Sequence, residues 1–228
     1  MERSFNSIQM SAARCHTPRQ FRRLLEDLRS VIPYRGLACK WGNARTHVLG
    51  NMVDVDYPRH YLGWYLANGM CRKDPVFQEC IRTQQPQVLS MVMRRLYQKF
   101  DAEHIKKLEQ YHLEHSIHGG LVVNGRVAYF TLLLGSEGEA NAYVSSLGEL
   151  LPSLCKALIV SYPYPVLTRR KKSILLSRAQ GNPPKQIAHE FGISQRTVKM
   201  HLEEIRRKLY AEDLVHAVWI VAINGLIG

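Results

Sequence analysis

The sequence predicts an α+β chain of two domains: an N-terminal α-β-α sandwich with an antiparallel sheet, then an all-α module of four helices. Three observations predict it. Helical apolar spacing and short strand-like runs occur in groups as far as residue 160. Tyr162-Pro163-Tyr164-Pro165 then interrupts the pattern, because two prolines remove amide donors and bias the preceding residues toward extended backbone. Beyond it every segment reads as helix. The expected division is therefore 1–160 for the first domain, 161–166 for the linker and 167–228 for the second.

In chain order, Thr17-Pro18 opens TPRQFRRLLEDLRSVI, whose Phe21, Leu24, Leu25, Leu28 and Val31 share one face of an amphipathic helix. GLACKW, HVLGNMVDV, GGLVVNG and VAYFTLLLG read as strands. The last two are separated by Asn124-Gly125-Arg126, a hairpin-turn composition. Helices are expected near 58–70, 74–83, 101–117 and 140–160, so strands and helices are grouped rather than strictly alternating.

The chain carries a formal charge of +12 and a pI near 9.7, which points to a polyanionic partner. Residues 167–228 hold 11 Lys/Arg against 5 Asp/Glu, so about half of the net charge sits in the helical module. No run reaches the ~18 to 20 uninterrupted apolar residues of a membrane span, and the opening residues lack a signal-peptide core. A cytoplasmic protein with no membrane partner is expected. Cys15, Cys39, Cys71, Cys80 and Cys155 are odd in number, widely spaced and without a C-x-x-C pair. They are expected to be reduced and buried.

Within the helical module, Pro184 suits the first turn of a helix whose Ile187, Ala188 and Phe191 face inward. Gly192 ends it, Ile193 enters the core, and Ser194 caps the next helix. That helix, QRTVKMHLEEIRRKLY, buries Val198, Leu202, Ile205 and Leu209 and leaves Gln195, Arg196, Lys199, Glu203 and Arg206 on the opposite face. Long polar side chains on one face can reach base edges or phosphates from the major groove of double-stranded DNA. Glu203 could pair with Lys199 or Arg207, or accept from a cytosine amino group. Together these form a helix-turn-helix. Ser194, Gln195, Arg196, Thr197, Lys199, Met200, Glu203, Arg206 and Lys185 are its candidate DNA contacts. An ordinary basic hairpin is the alternative.

The segment LTRRKKSILLSRAQGNPPKQIAHEFGISQRTVKMHLEEIRRKLY resembles the DNA-binding domain of LuxR-type transcription factors, over about 60 residues without a gap. The resemblance implies that the helix after Ser194 is the recognition helix. It also implies that DLVHAVWIVAIN helps pair two such modules through Leu214, Ala217, Val218 and Val221, in a homodimer on a two-fold operator. One position departs from the family: Lys171 stands where Glu usually completes a capping box with Thr168. Four cations at residues 169–172 then oppose the helix dipole by roughly 0.3 to 1 kcal/mol each at low salt. A DNA phosphate or an acidic patch of the first domain is the expected compensation.

DYPRHYLGWYLANGMCRKDPVFQECIRTQQPQVLS resembles the autoinducer-binding domain of quorum-sensing LuxR-type receptors. The resemblance implies a small-molecule signal, an acyl-homoserine lactone or a related compound, and no other cofactor. It places Tyr65 beside the acyl chain, Asp74 at the signal amide with Pro75 following, Tyr57 in the pocket, Thr131 near the acyl carbonyl, and Gly119 or Gly120 at the strand glycine. Both family tryptophans are absent. Tyr61 replaces the one that binds the lactone carbonyl and Leu89, to within a residue or so, the one that walls the pocket. Tyr61 keeps a donor, whereas Leu89 cannot stack. Asp74-Pro75 also reads as a plain helix start, and Tyr57, Tyr61, Trp64 and Tyr65 as plain core.

A transcriptional regulator of the quorum-sensing type is thus expected. The alternative is an orphan that binds another molecule, needs no ligand, or uses the first domain for protein–protein contact. No receiver-domain acids, phosphate loop, nucleophile elbow or Cys/His pair argues for an enzyme, so no catalytic residues are assigned. His104, His112, His115 and His118 read as a solvated helix face rather than a metal site, with His112 and His115 on one side.

Overall fold

The computed structural model describes residues 4–44, 48–163, 167–209, 211 and 213–223, without the side chains of residues 43, 48, 50, 51 and 223. The chain divides into one unit at Met1–Tyr162 and another at Pro163–Gly228. Tyr164 and Pro165 of the expected linker lie outside the described residues.

The first unit opens with α1 (Phe5–Ala13) and α2 (Pro18–Leu28). Thr17 caps α2 by accepting from the Gln20 amide, Pro18 fills the first turn, and Phe21, Leu24, Leu25 and Leu28 are buried as their spacing requires. Strands β1 (Gly36–Asn43) and β2 (Val48–Val55) follow, then α3 (Arg59–Ala67), a 3-10 turn at Met70–Arg72, and α4 (Pro75–Thr83). Next come the two-residue strand β3 (Gln87–Val88), α5 (Leu89–Leu96), a 3-10 turn at Tyr97–Lys99 and α6 (Ala102–Gln110). Strands β4 (Ser116–Val123) and β5 (Arg126–Leu133) and the long α7 (Glu137–Ser161) complete the unit.

The sheet runs β2-β1-β5-β4-β3 with every pairing antiparallel. Asn124 and Gly125, at φ 50° and 75°, make the two-residue turn of the β4–β5 hairpin, and Arg126 already belongs to β5. Strand alternation divides the sheet into two faces. Leu37, Cys39, Trp41, Ala128, Phe130 and Leu132 join the core made with α1, α2 and α7. Ala38, Val127, Tyr129 and Leu133 join the other, beneath α3 to α6. The expected α-β-α sandwich is thus present.

By length and composition α7 is apolar enough to cross a membrane, but half of its most apolar window is buried inside the protein. It packs on β4 and β5 as a core helix. The buried Arg126 guanidinium donates to the carbonyls of Ile159 at 3.1 Å and Tyr162 at 2.8 Å, a cation at the negative end of the helix. All five cysteines are free and buried.

The second unit contains α8 (Arg169–Ala179), α9 (Pro184–Phe191), α10 (Gln195–Lys208) and α11 (Leu214–Ile223) around Ile174, Leu175, Ile187, Val198, Leu202 and Ile205. Gly192 ends α9 at φ 62°, a left-handed conformation that glycine adopts at little cost, and its neighbour Ile193 bonds back to the Ala188 carbonyl at 3.0 Å. Ser194 then accepts from the Thr197 amide at 3.1 Å to cap α10.

Four expectations change. The helix expected at 101–117 stops at Gln110, because His112 takes a positive φ of 52° and Ser116 begins β4. His112 and His115 therefore share no helix face, and His104 and His118 are buried rather than solvated. On α11, Ala217 and Val221 are fully buried and Leu214 and Val218 pack on the same core, so the residues expected to pair modules face inward. The outward side of α11 carries Val215, 78% exposed, and Trp219.

Candidate functional site

Beneath α3 to α6 the second core contains an unusual number of polar groups. Alternation along β1, β4 and β5 brings Lys40, His118, Tyr129 and Thr131 to one sheet face: Lys40 pairs with Tyr129 and Thr131 with His118. Above them α3 supplies Tyr61 and Tyr65, the loop before it Tyr57, the cap of α4 Asp74, α5 Leu89 and α6 His104. All of these are buried.

Asp74 does two jobs. Its Oδ1 accepts from the Val76 amide at 2.9 Å, capping α4 with Pro75 in the first turn, and its Oδ2 accepts from the Tyr65 hydroxyl at 2.7 Å. The plain helix start is therefore real, and the same carboxyl group also holds a tyrosine. Donors from the protein compensate its burial, so it does not by itself demand a ligand N–H. Burial pushes the Tyr57, Tyr61 and Tyr65 hydroxyls above their ordinary range, with Asp74 adding to the effect.

Tyr61 stands in a ring of aromatics with Tyr57, Trp64, Tyr65, Tyr111 and His104, and its hydroxyl lies 3.0 Å from His104 Nε2. That contact occupies the group expected to meet a lactone carbonyl. Below it, the Ser116 hydroxyl donates to the Leu113 carbonyl at 2.8 Å and so accepts from His118 Nε2 at 2.7 Å. Burial lowers the pKa of His118 to about 3, which keeps the ring neutral. Its Nδ1 must then accept from Tyr129, whose hydroxyl is 2.7 Å away. This chain of bonds fixes Tyr129 in place.

Gly120 belongs to this face. A Cβ there would lie 2.7 Å from a Tyr129 ring carbon and 3.0 Å from Ile81, whereas one at Gly119 would meet Leu151 of α7 on the opposite face. The residues expected around a signal, Tyr57, Tyr61, Tyr65, Asp74, Pro75 and Leu89, thus gather over the sheet, with Thr131 on the face below them. Sequence reasoning missed Lys40, His104, His118 and Tyr129. Lys40 sits two residues from Ala38 on the same strand face, a parity that could have exposed it.

In the second unit Ser194, Gln195, Arg196, Lys199, Met200 and Glu203 are exposed along one side of α10, with Thr197 half-buried and Lys185 exposed on α9. Glu203 pairs with neither Lys199 nor Arg207. It receives two bonds from Arg206, at 2.6 and 2.9 Å, and Arg206 also donates to the Ala211 carbonyl at 3.3 Å. The cation at Lys171 finds its partner inside this unit as well: its Nζ lies 2.6 Å from Glu204 on α10. Neither a phosphate nor the first domain is needed to compensate that residue.

Residues 44–142 match the family described as the autoinducer binding domain, and residues 165–221 match the bacterial regulatory proteins of the luxR family. Sandwich and helical module together define a DNA-binding transcriptional regulator with an autoinducer-binding domain. These two domains in one chain are those of the LuxR-type regulators, the family to which the chain belongs.

The nitrate/nitrite response regulator protein NarP of Escherichia coli K12 is 44% identical over 55 residues, 24% of this chain. The chain matches about a quarter of NarP's length, 26%. The crystal structure of Escherichia coli SdiA aligns over 98% of each chain with a TM-score of 0.50 at 16% identity, a likeness of fold. The N-acylhomoserine-lactone-dependent LuxR-family factor CepR2 of Burkholderia cenocepacia aligns over 67% of this chain and 90% of its own, with a TM-score of 0.48 and 15% identity.

Proposed function

We propose that the protein is a cytoplasmic homodimer that regulates transcription by laying α10 in the major groove of a two-fold operator, under the control of a small amphiphilic signal bound in the first domain. The observation that carries this is the exposed side of α10. Gln195, Arg196, Lys199 and Met200 stand clear of the core on a helix held rigidly by Gly192 and the Ser194 cap. Thr197 and Ser194, at the helix N-terminus, and Lys185 on α9 are suited to phosphate contacts. Arg206, held by Glu203, offers a fixed guanidinium edge rather than a swinging one. Among the described side chains of α11, Val215 and Trp219 are the large apolar ones exposed for pairing two modules.

In the first domain Tyr57, Tyr61, Tyr65, Asp74, Pro75, Leu89 and Thr131 form the signal site. A signal acts by binding one dimer arrangement more tightly than others, and so sets the spacing of the two recognition helices. An orphan specificity is the second reading, favoured by the Tyr61–His104 contact, which occupies the expected lactone donor. The test is operator binding by fluorescence anisotropy, with and without acyl-homoserine lactones of several chain lengths. The lactone reading expects tighter binding and a higher melting temperature at one chain length. Indifference to every lactone supports the orphan, and absence of any sequence-dependent DNA binding overturns the proposal.

A further inference from the structure

Lys40 is the least expected group in the first domain. It lies in the middle of a central strand and is only 3% exposed, and its ammonium sits 3.8 Å from the centre of the Tyr65 ring. Tyr129 presents its ring at 5.8 Å. Among the described residues no carboxylate lies within ion-pair distance of this ammonium and no acceptor hydrogen-bonds it. An aromatic face attracts a cation but supplies no lone pair to its three N–H donors. Donors of this kind, taken largely out of bulk water, are stabilised by a lone-pair acceptor. Asp74 and Cys71 act on this group only through longer-range electrostatics, and the Asp74 oxygens receive the Tyr65 hydroxyl and the Val76 amide instead.

A second observation lies on the same face. Thr131 Oγ1 is buried without a hydrogen-bond partner, and so is His104 Nδ1. Thr131 pairs with Ala38, two residues from Lys40, so the two side chains are diagonal neighbours at about 7 to 8 Å, a gap that a lysine can span. The core packed around these polar groups is aromatic and aliphatic: Leu89, Val92, Phe77 and the tyrosines. The site therefore combines an apolar surface with donors that await an acceptor.

We infer that the signal taken by this domain is an amphiphilic acid, whose carboxylate binds the Lys40 ammonium and the Thr131 hydroxyl while its apolar chain lies among the tyrosines and Leu89. The inference rests on the small-molecule reading above and narrows its chemistry. A carboxylate brings two oxygens and a full negative charge to the ammonium. A lactone or an alcohol brings only neutral acceptors, and charge-assisted bonds are about twice as strong as neutral ones. Lys40 lies outside the segment matched to the autoinducer-binding family, residues 44–142, so the family match assigns it no role.

The experiment titrates the full chain with four probes of equal chain length: decanoate, N-decanoyl-homoserine with its ring opened, N-decanoyl-homoserine lactone and decanol. Melting temperature and Trp64 fluorescence are read for wild type, Lys40→Met and Lys40→Arg. The expected result is that the two acids stabilise wild type more than the lactone or decanol. Lys40→Met should weaken the acids about tenfold or more and leave decanol unchanged, as loss of a charged hydrogen-bond partner implies. Lys40→Arg should retain them, and unliganded Lys40→Met should melt no lower than wild type, since burial disfavours the charge that it removes.

If the lactone or decanol stabilises wild type and the acids do not, the inference is overturned and the small-molecule reading stands. Acids that bind Lys40→Met as tightly as wild type also overturn it. If no probe of any class binds wild type, the small-molecule reading itself falls.

Discussion

Lys171 of α8 and Glu204 of α10 form an ion pair with Nζ 2.6 Å from Oε2, tying the helix that begins the second unit to the helix that carries the exposed basic side. The pair holds the Glu204 carboxyl below the usual carboxylate range, chiefly through the Lys171 hydrogen bond. Lys171→Glu should therefore lower the melting temperature of the second unit by setting two carboxylates against each other, and the exchange Lys171→Glu with Glu204→Lys should recover most of the loss. Differential scanning calorimetry of the single and double variants checks this. A single variant as stable as wild type would mean that the contact contributes nothing.

Gly120 has no room for a side chain. Gly120→Ala should push Tyr129 off its bond with His118 and cost about 1 to 3 kcal/mol, the usual range for overpacking a filled core. Gly119→Ala meets the methyl ends of flexible side chains, Leu151 at 3.1 Å and Leu147 at 3.6 Å, and should cost less. Urea denaturation of both variants gives the order.

Asp74→Asn and Asp74→Ala separate the two jobs of that carboxyl group. Asn remains a good helix cap and turns its amide N–H toward the Tyr65 hydroxyl, which can accept it by rotating its own proton, whereas Ala leaves the buried hydroxyl and the Val76 amide unpaired at about 1 to 3 kcal/mol. The alanine variant should have the lower urea midpoint of the two.

The first unit should lose stability in mild acid through His118. Its pKa is lowered to about 3 by burial in the fold, while an unfolded chain binds the proton near pH 6.5. Between those values the unfolded chain holds a proton that the folded chain lacks. The full benefit is thus present above pH 6.5 and drains away as pH falls toward 3, at about 1.4 kcal/mol per pH unit. His104, also lowered by burial, adds in the same direction. His118→Gln should flatten the pH dependence of urea denaturation, and an unchanged slope would contradict the assignment.

The fold was legible wherever local chemistry and tertiary packing agree. Thr17 and Pro18 begin α2 and Asn124-Gly125 turns the hairpin. Gly192 and Ser194 end one helix and cap the next as their types require. The α6 boundary was not legible, because nothing in Gln110 to His115 breaks a helix as glycine or proline would. Helices α1 and α5 and the short β3 went unread. On α11, an almost wholly apolar sequence hides which side faces the core.

The candidate site was legible through its resemblance, which named the tyrosines and Asp74. Its polar floor was not. A lysine inside GLACKW reads as a solvent-facing strand residue until α3 and α4 are laid across it, and those contacts are distant in sequence. His104 and His118 are likewise polar in the chain and buried only by long-range packing.

The measurement that bears most directly on the account is the salt dependence and sequence preference of DNA binding by wild type, Arg196→Ala and Lys199→Ala. Each variant should weaken operator binding by about 1 to 3 kcal/mol where its side chain reads a base, or lower the salt slope by about one where it meets a phosphate. If both variants bind the operator as tightly as wild type, with the same slope and the same discrimination, then α10 does not enter the groove.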